Sequence, residues 1–146
     1  MHGEPPEGGL FDTLYGRHPV DRKRFSSKVR EGKRAVTRFQ VLARVPGAAL
    51  IEVELLTGRT HQIRAHFADA GFPLFCDRLY GGVKREGKLD PDSPAAQAAR
   101  ALGRQGLHAA RLSFAHPISG AAVACEARVP ADLRAALRAL GLSSPR

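Results

Sequence analysis

The sequence predicts an α+β fold in which antiparallel strand pairs form an antiparallel or mixed sheet with flanking helices, and three observations predict it. Two neighbouring segments alternate apolar and polar residues, a proline-glycine pair separates them, and two later segments repeat apolar residues at three-and-four spacing. Residues 1–8 hold Gly3, Pro5, Pro6 and Gly8 and read as a flexible lead-in. Residues 16–32 follow as a long basic loop with no sustained period. Over 35–45, Thr37, Phe39, Val41, Ala43 and Val45 fall on one side and Arg38, Gln40 and Arg44 on the other, the pattern of a half-buried strand. Pro46-Gly47 supplies a turn, and Ile51, Val53 and Leu55 then alternate with Glu52 and Glu54, which predicts an antiparallel hairpin.

The next element is expected to be a helix over 61–70. Thr60 is positioned to cap its first amides, Gly71 suits the left-handed residue after its end, and Pro73 prevents continuation. Ile63, Phe67 and Ala70 would form its core face, with Arg64 and His66 at the two borders of that stripe. Residues 83–106 read as a variable, mobile insertion, loop-like at first and then a short alanine-rich helix capped by Ser93-Pro94 and ending near Gly103. Strands are expected over 107–115 and 121–129. A terminal amphipathic helix carries Leu133, Ala136, Leu137 and Leu140, is stopped by Gly141, and leaves 142–146 as a tail.

Length and composition narrow the function classes. With 146 residues, 43% hydrophobic and 25% charged, the chain is sized for one globular domain. Lys+Arg 23 against Asp+Glu 14 gives a net charge of +9, which favours a polyanionic partner such as nucleic acid. The basic residues cluster: Arg17, Arg22, Lys23, Arg24, Lys28, Arg30, Lys33, Arg34 and Arg38 face only Asp21 and Glu31 over residues 17–38. Composition alone fits a solvated face equally well. No apolar run approaches the roughly 18 residues of a membrane span. Nothing near Met1 resembles a targeting segment, so reduced Cys76 and Cys125 in a cytoplasmic protein are expected.

Three kinds of site chemistry can be weighed for the segment 55–82. A metal pair at His61 and His66 is disfavoured, because a spacing of five sets helical side chains about 140° apart, and no carboxylate or thiol set stands nearby. Cys76 lies in apolar Leu74-Phe75-Cys76-Asp77, where a buried inert thiol is the ordinary outcome. An anion site is better supported: Gly58 allows a tight turn, Thr60 to Gln62 would open a helix, and Arg59 and Arg64 carry fork-shaped charge. A capped helix with solvated arginines accounts for the same residues.

A resemblance separates these readings. Thr57-Gly58-Arg59-Thr60-His61-Gln62-Ile63-Arg64, followed by His66, Gly71-Phe72-Pro73-Leu74, Asp77 and Tyr80-Gly81, closely resembles the signature of the RluA family of RNA pseudouridine synthases. Upstream, residues 16–24 with Gly32-Lys33, Ala35 and Thr37 are similar to that family's basic loop and following strand. Downstream, Leu107-His108-Ala109, Leu112 and His116-Pro117 are similar to its later strands. Several linked motifs in order are far more specific than one short pattern.

The resemblance implies isomerisation of uridine to pseudouridine in structured RNA, rRNA or tRNA, without cofactor or metal. An aspartate attacks the nucleotide, the glycosidic bond breaks, and the base rejoins through carbon. It implies that Arg64 pairs with that aspartate, that Arg59, Thr60, His61 and Gln62 shape the wall of the site, and that Arg17, His18, Arg22, Lys23 and Arg24 grip RNA.

One departure qualifies it. The family's nucleophile lies in an H-R-L-D segment upstream of the basic loop, and these 146 residues contain none; Lys88-Leu89-Asp90 is a superficial echo in the wrong place. Residues 9–141 are therefore expected to be the C-terminal half of a pseudouridine synthase catalytic domain, a fragment whose catalytic aspartate sits elsewhere, on a separate chain in one version. The alternative is a non-catalytic RNA-binding module that uses the same basic face.

Overall fold

The computed structural model describes residues 1–145, and its larger sheet has four antiparallel strands. Arg146, the end of the expected tail, lies outside the described residues. The sheet is built from β1 (Gly8–Arg17), β2 (Phe25–Ser26), β3 (Lys33–Val45) and β4 (Ala48–Leu55), in the spatial order β2-β1-β3-β4. The expected hairpin is β3–β4: Thr37 pairs with Leu55 and Val45 with Ala48, and Gly47 turns the chain at φ 75°. Leu42 has no partner between Val41 and Ala43, a bulge that bends the strand.

Residues 9–15, for which the sequence predicts no strand, supply most of the sheet's third long strand. In β1, Phe11, Thr13 and Tyr15 turn inward and Leu10, Asp12 and Leu14 outward, with Phe11 opposite Thr37 and Tyr15 opposite Lys33. Apolar residues on both faces and two leading glycines hide that alternation. The lead-in also differs from expectation, because its first residues are packed. The Ala49 amide donates to the Met1 carbonyl at 3.0 Å, while buried His2 stacks on Phe75 at 3.8 Å and meets the Glu86 carboxylate at 3.0 Å.

Helix α1 (Gln62–Asp69) lies against the sheet; its cap is not the expected one, and of the expected core face Phe67 is buried and Ile63 packs beside it while Ala70 does not. Its N-cap is His61, in a left-handed conformation at φ 58° with no side-chain cap bond, so Thr60 does not cap it. The buried positions are Gln62, Ala65, His66 and Phe67; Ala70 is exposed and Ile63 half-buried. Two polar residues face the core because β3 offers them partners. Gln62 donates to the Val36 carbonyl at 3.0 Å and the Thr37 hydroxyl at 2.9 Å, and His66 bonds Thr37 and Thr13 at 2.9 and 3.0 Å. Burial without such bonds would cost each group about 1–3 kcal/mol. Phe67, Phe39 and Leu74 fill the space beside them, with Phe11 and Ile51 at the margin.

Residues 82–106 hold more structure than the expected insertion. Helix α2 (Gly82–Glu86) occupies the part read as loop, and α3 (Pro94–Leu102) begins as expected, Ser93 accepting the Ala96 amide at 3.2 Å and Gly103 closing the end at φ 63°. Helix α3 packs on α4 (Ala131–Ala139), where Phe75, Ala95, Ala98, Leu102 and Ala136 form a second core cluster with Ala48. Between them β5 (Arg111–Ala115) and β6 (Ala122–Glu126) make a separate two-stranded hairpin, shorter than expected. It leaves Leu112 and Phe114 exposed and is tied to β4 through Arg111 and Glu52.

Gly82 connects this packing to the chemistry described next. A Cβ there would stand 2.0 Å from the Leu74 carbonyl oxygen and 2.7 Å from the Asp77 amide, both rigid backbone. Gly82→Ala is therefore expected to destabilise the protein by about 3 kcal/mol, read as a lower urea midpoint at unchanged slope. A midpoint equal to that of the parent would show that the turn at 74–77 yields without cost.

Candidate active site

The site assembles where the start of α1, the end of β1 and the turn after α1 meet. Arg64, one turn into α1, reaches across to Asp77: Nε donates to Oδ2 at 2.8 Å and Nη2 to Oδ1 at 2.9 Å, a side-on fork. Asp77's side chain is fully buried and Arg64's is 15% exposed. Asp77 Oδ1 also accepts the amides of Leu79 at 3.0 Å and Tyr80 at 2.9 Å, which locks the carboxylate into its own turn. Burial pushes the Asp77 carboxyl up, but the Arg64 hydrogen bonds and those amides outweigh it and hold its pKa below the usual carboxylate range. The same bond raises Arg64, so the pair stays charged.

Tyr80 is the second organising residue. Its ring lies under two guanidinium groups, Arg64 at 4.8 Å and Arg24 at 5.1 Å. Its hydroxyl accepts the Phe25 amide at 2.9 Å and meets His61 Nδ1 at 3.1 Å. The basic loop is thereby pinned beside Arg64. Tyr15, stacked on Phe25 at 5.7 Å, donates its hydroxyl to the Thr60 carbonyl at 2.6 Å and so fixes the turn into α1. Burial lowers the pKa of His61, with Arg64 adding to the effect, and the imidazole is neutral at pH 7.

The residues expected to shape the wall divide. His61 borders Tyr80 and Phe25, and Arg59 is exposed with its Nε on the Arg34 carbonyl at 3.3 Å. Thr60 contributes its carbonyl. Gln62 is turned inward: its amide donates to β3, and its oxygen accepts from Thr57 at 2.8 Å and the Arg59 amide at 2.9 Å, so it holds the wall from behind and is saturated. His66, expected at the border, is buried beyond reach of the site.

Of the basic loop, Arg17 lies over the Phe25 ring at 4.4 Å and donates to the Arg22 carbonyl at 3.0 Å. Arg22 and Lys23 are exposed, and Arg24 is drawn back onto Tyr80. His18 does local work, its Nδ1 accepting the amides of Val20 and Asp21 at 3.2 and 3.0 Å. Among the described residues no group of three or more His, Cys, Asp or Glu side chains is set to hold a metal. Burial pushes the Cys76 thiol up to about 11, which keeps it protonated and a poor nucleophile at neutral pH. Asp77, Tyr80 and Tyr15 had no assigned role in the sequence reading; only the first two fell inside a recognised motif.

Arg64 is thus a partly buried arginine beside a polar wall with the basic loop pinned next to it, and the fold that places it there has known counterparts. The solved structure titled Human RNA Pseudouridylate Synthase Domain Containing 4 superposes with a TM-score of 0.62 at 24% identity, covering 97% of this chain and 59% of that one. A family model described as RNA pseudouridylate synthase matches residues 2–69. Among curated relatives, ribosomal large subunit pseudouridine synthase D of Nitrosomonas europaea is 39% identical over 94% of this chain and 38% of its own length. The protein of that name from Xanthomonas campestris pv. campestris is 40% identical over 95% and 41%. A Chloroflexus aurantiacus relative called an uncharacterized RNA pseudouridine synthase is 41% identical over 94% and 39%. The chain belongs to the RluA family of RNA pseudouridine synthases and spans about two fifths of the length of these curated relatives.

The ionisable groups of the site and its support make stability fall with acid in two stages. His66 and His61 have folded-state pKa values below their ordinary 6.5, burial being the main cause in both. The unfolded chain therefore binds protons that the folded one refuses, and stability declines as pH falls below about 6.5. Asp77 has a depressed folded pKa; its contribution is complete above the ordinary 3.8 and is lost as pH falls through the lower folded value. Urea midpoints measured at about pH 7.5, 5.5 and 3.5 should fall in that order. A midpoint that rises toward pH 5.5 would contradict the assignment of neutral histidines.

Proposed function

We propose that the protein is an RNA pseudouridine synthase acting on rRNA or tRNA, with Arg64 meeting a nucleophilic aspartate that enters from outside these 146 residues. The observation that carries this reading is Arg64 itself, a charged guanidinium held at a partly buried wall inside the family signature, with hydrogen-bonding capacity left over. Such a group positions an incoming carboxylate and keeps it ionised for attack.

In the reaction the bond from the ribose carbon to N1 of uracil breaks and a bond from the same carbon to C5 forms. N1 gains a proton and C5 loses one, so the change is an isomerisation needing neither oxidant nor reductant. The target nucleotide has to leave its stack, at a cost of a few kcal/mol that phosphate contacts must offset. Arg17, Arg22 and Lys23, with Arg59 on the neighbouring turn, are the cations this reading assigns to the phosphates. Arg24 and His61 bound the place where the base would lie. The cytoplasm is the compartment this reading expects, and among the described residues no helix is long and apolar enough to cross a membrane.

Binding of this chain to a structured rRNA fragment at several salt concentrations tests the RNA half of the proposal. Replacing Arg22 and Lys23 by alanine together should weaken binding about tenfold and flatten the salt slope by about two. Affinity indifferent to salt, or to these two residues, would remove the basic loop from the interface.

A further inference from the structure

Every hydrogen that Arg64 spends on Asp77 comes from one edge of its guanidinium. The side-on fork uses Nε–H and one hydrogen of Nη2; Nη1 has no hydrogen-bond partner among the described residues. The end-on edge, Nη1 with the second hydrogen of Nη2, remains able to grip another carboxylate bidentately, since a guanidinium carries five donors in a planar fork. Arg64 also lines an open cavity of about 460 Å3 together with Arg78, Leu79 and Gln105, so its guanidinium is reachable from outside the packed core.

From this we infer that Asp77 is a positioning residue for the isomerisation: it holds one edge of Arg64 so that the other edge is aimed at the nucleophilic carboxylate. The inference rests on the functional reading above. Two features make Asp77 suited to the task. Its carboxylate is anchored independently of Arg64, by the amides of Leu79 and Tyr80 and by the turn that Gly82 permits. Tyr80, which supplies one of those amides, also lays its ring 4.8 Å from the guanidinium carbon, restraining the plane as Asp77 restrains the edge. An arginine fixed in edge and plane has one orientation left, and the ordering cost is met before the nucleophile arrives.

Asp77→Asn separates holding Arg64 from capping the turn. Asn Oδ1 still accepts the two amides, while Nδ2 replaces the oxygen that faces Arg64 Nε and sets donor against donor. In the whole chain, nitrogen-15 NMR should give a slowly exchanging Arg64 Nε–H signal that is lost in Asp77→Asn. With the aspartate-bearing segment supplied, that variant should lose about 10²-fold in kcat with KM changed less than about threefold, since misplacement by about 1 Å costs that much. Asp77→Glu, which keeps the charge on a longer stem, should recover part of the loss.

The cycle with Arg64→Gln is decisive. Asp77→Asn should then cost nothing more, because its effect passes through Arg64. An equal loss in both backgrounds, or an Arg64 signal unchanged in Asp77→Asn, overturns the positioning role while leaving the enzyme assignment standing. A parent protein that makes no pseudouridine with that segment present overturns the functional reading and this role with it. Should Asp77→Asn fail to fold, Asp77→Glu carries the same test: unchanged kcat would overturn the inference.

Discussion

Arg64→Gln is expected to lower pseudouridine formation about 10³-fold in kcat, the scale seen when one preorganised electrostatic partner is removed from a dehydrated site. Glutamine is polar but shorter by about two bonds, offers one donor group in place of the fork and carries no charge. Two consequences follow from the same change. On the proposed reading the nucleophile loses its cation, and Asp77 is left fully buried with only the Leu79 and Tyr80 amides for company. Stranding a buried carboxylate typically costs about 3–5 kcal/mol, so stability has to be measured beside activity. Arg64→Lys keeps the charge without the planar fork and should restore little of the rate. Single-turnover assays at temperatures where each variant is folded check this, and a rate within about threefold of the parent would exclude Arg64 from the chemistry.

Phe67→Ala is expected to cost about 3–5 kcal/mol of folding stability, much of what a domain of this size has to lose. Its side chain is completely buried. It meets Phe11 edge-on at 5.2 Å and Phe39 at 5.1 Å, so one ring joins α1 to both β1 and β3. Removing it opens a cavity that sheet and helix cannot jointly close, and the position of Arg64 depends on that docking. Equilibrium urea unfolding reads the effect. A loss below about 1 kcal/mol would mean that α1 is held by its polar contacts to Thr37 and Thr13 and not by the aromatic cluster.

The sequence was most legible where one face is apolar and the other charged. Strands β3 and β4 and the Ser93 cap of α3 were readable because alternation or a capping residue states the answer locally. Strand β1 was not, since Leu10 and Leu14 point outward beside inward Phe11 and Tyr15 and cancel the period. The face of α1 is legible only at Phe67 and Ile63, for a related reason: Gln62 and His66 are core residues only because Thr37, Thr57 and Val36 meet their hydrogen-bonding needs, and hydropathy cannot see a partner 25 residues away. The site shows the same division. Arg64 was legible from its motif, whereas its link to Asp77 spans 13 residues and a reversal of chain direction. Tyr80's hold on Phe25 spans 55 residues and is visible only in the fold.

The function proposed for this wall is conversion of uridine to a carbon-linked isomer. Because C5 must lose its hydrogen when the new bond forms, the most direct measurement is release of tritium from RNA labelled at C5 of uridine, with the protein and its aspartate-bearing segment present. Release to water is expected in step with pseudouridine appearing at a defined uridine, and it should be suppressed in Arg64→Gln. Tight RNA binding with no tritium released would contradict that function.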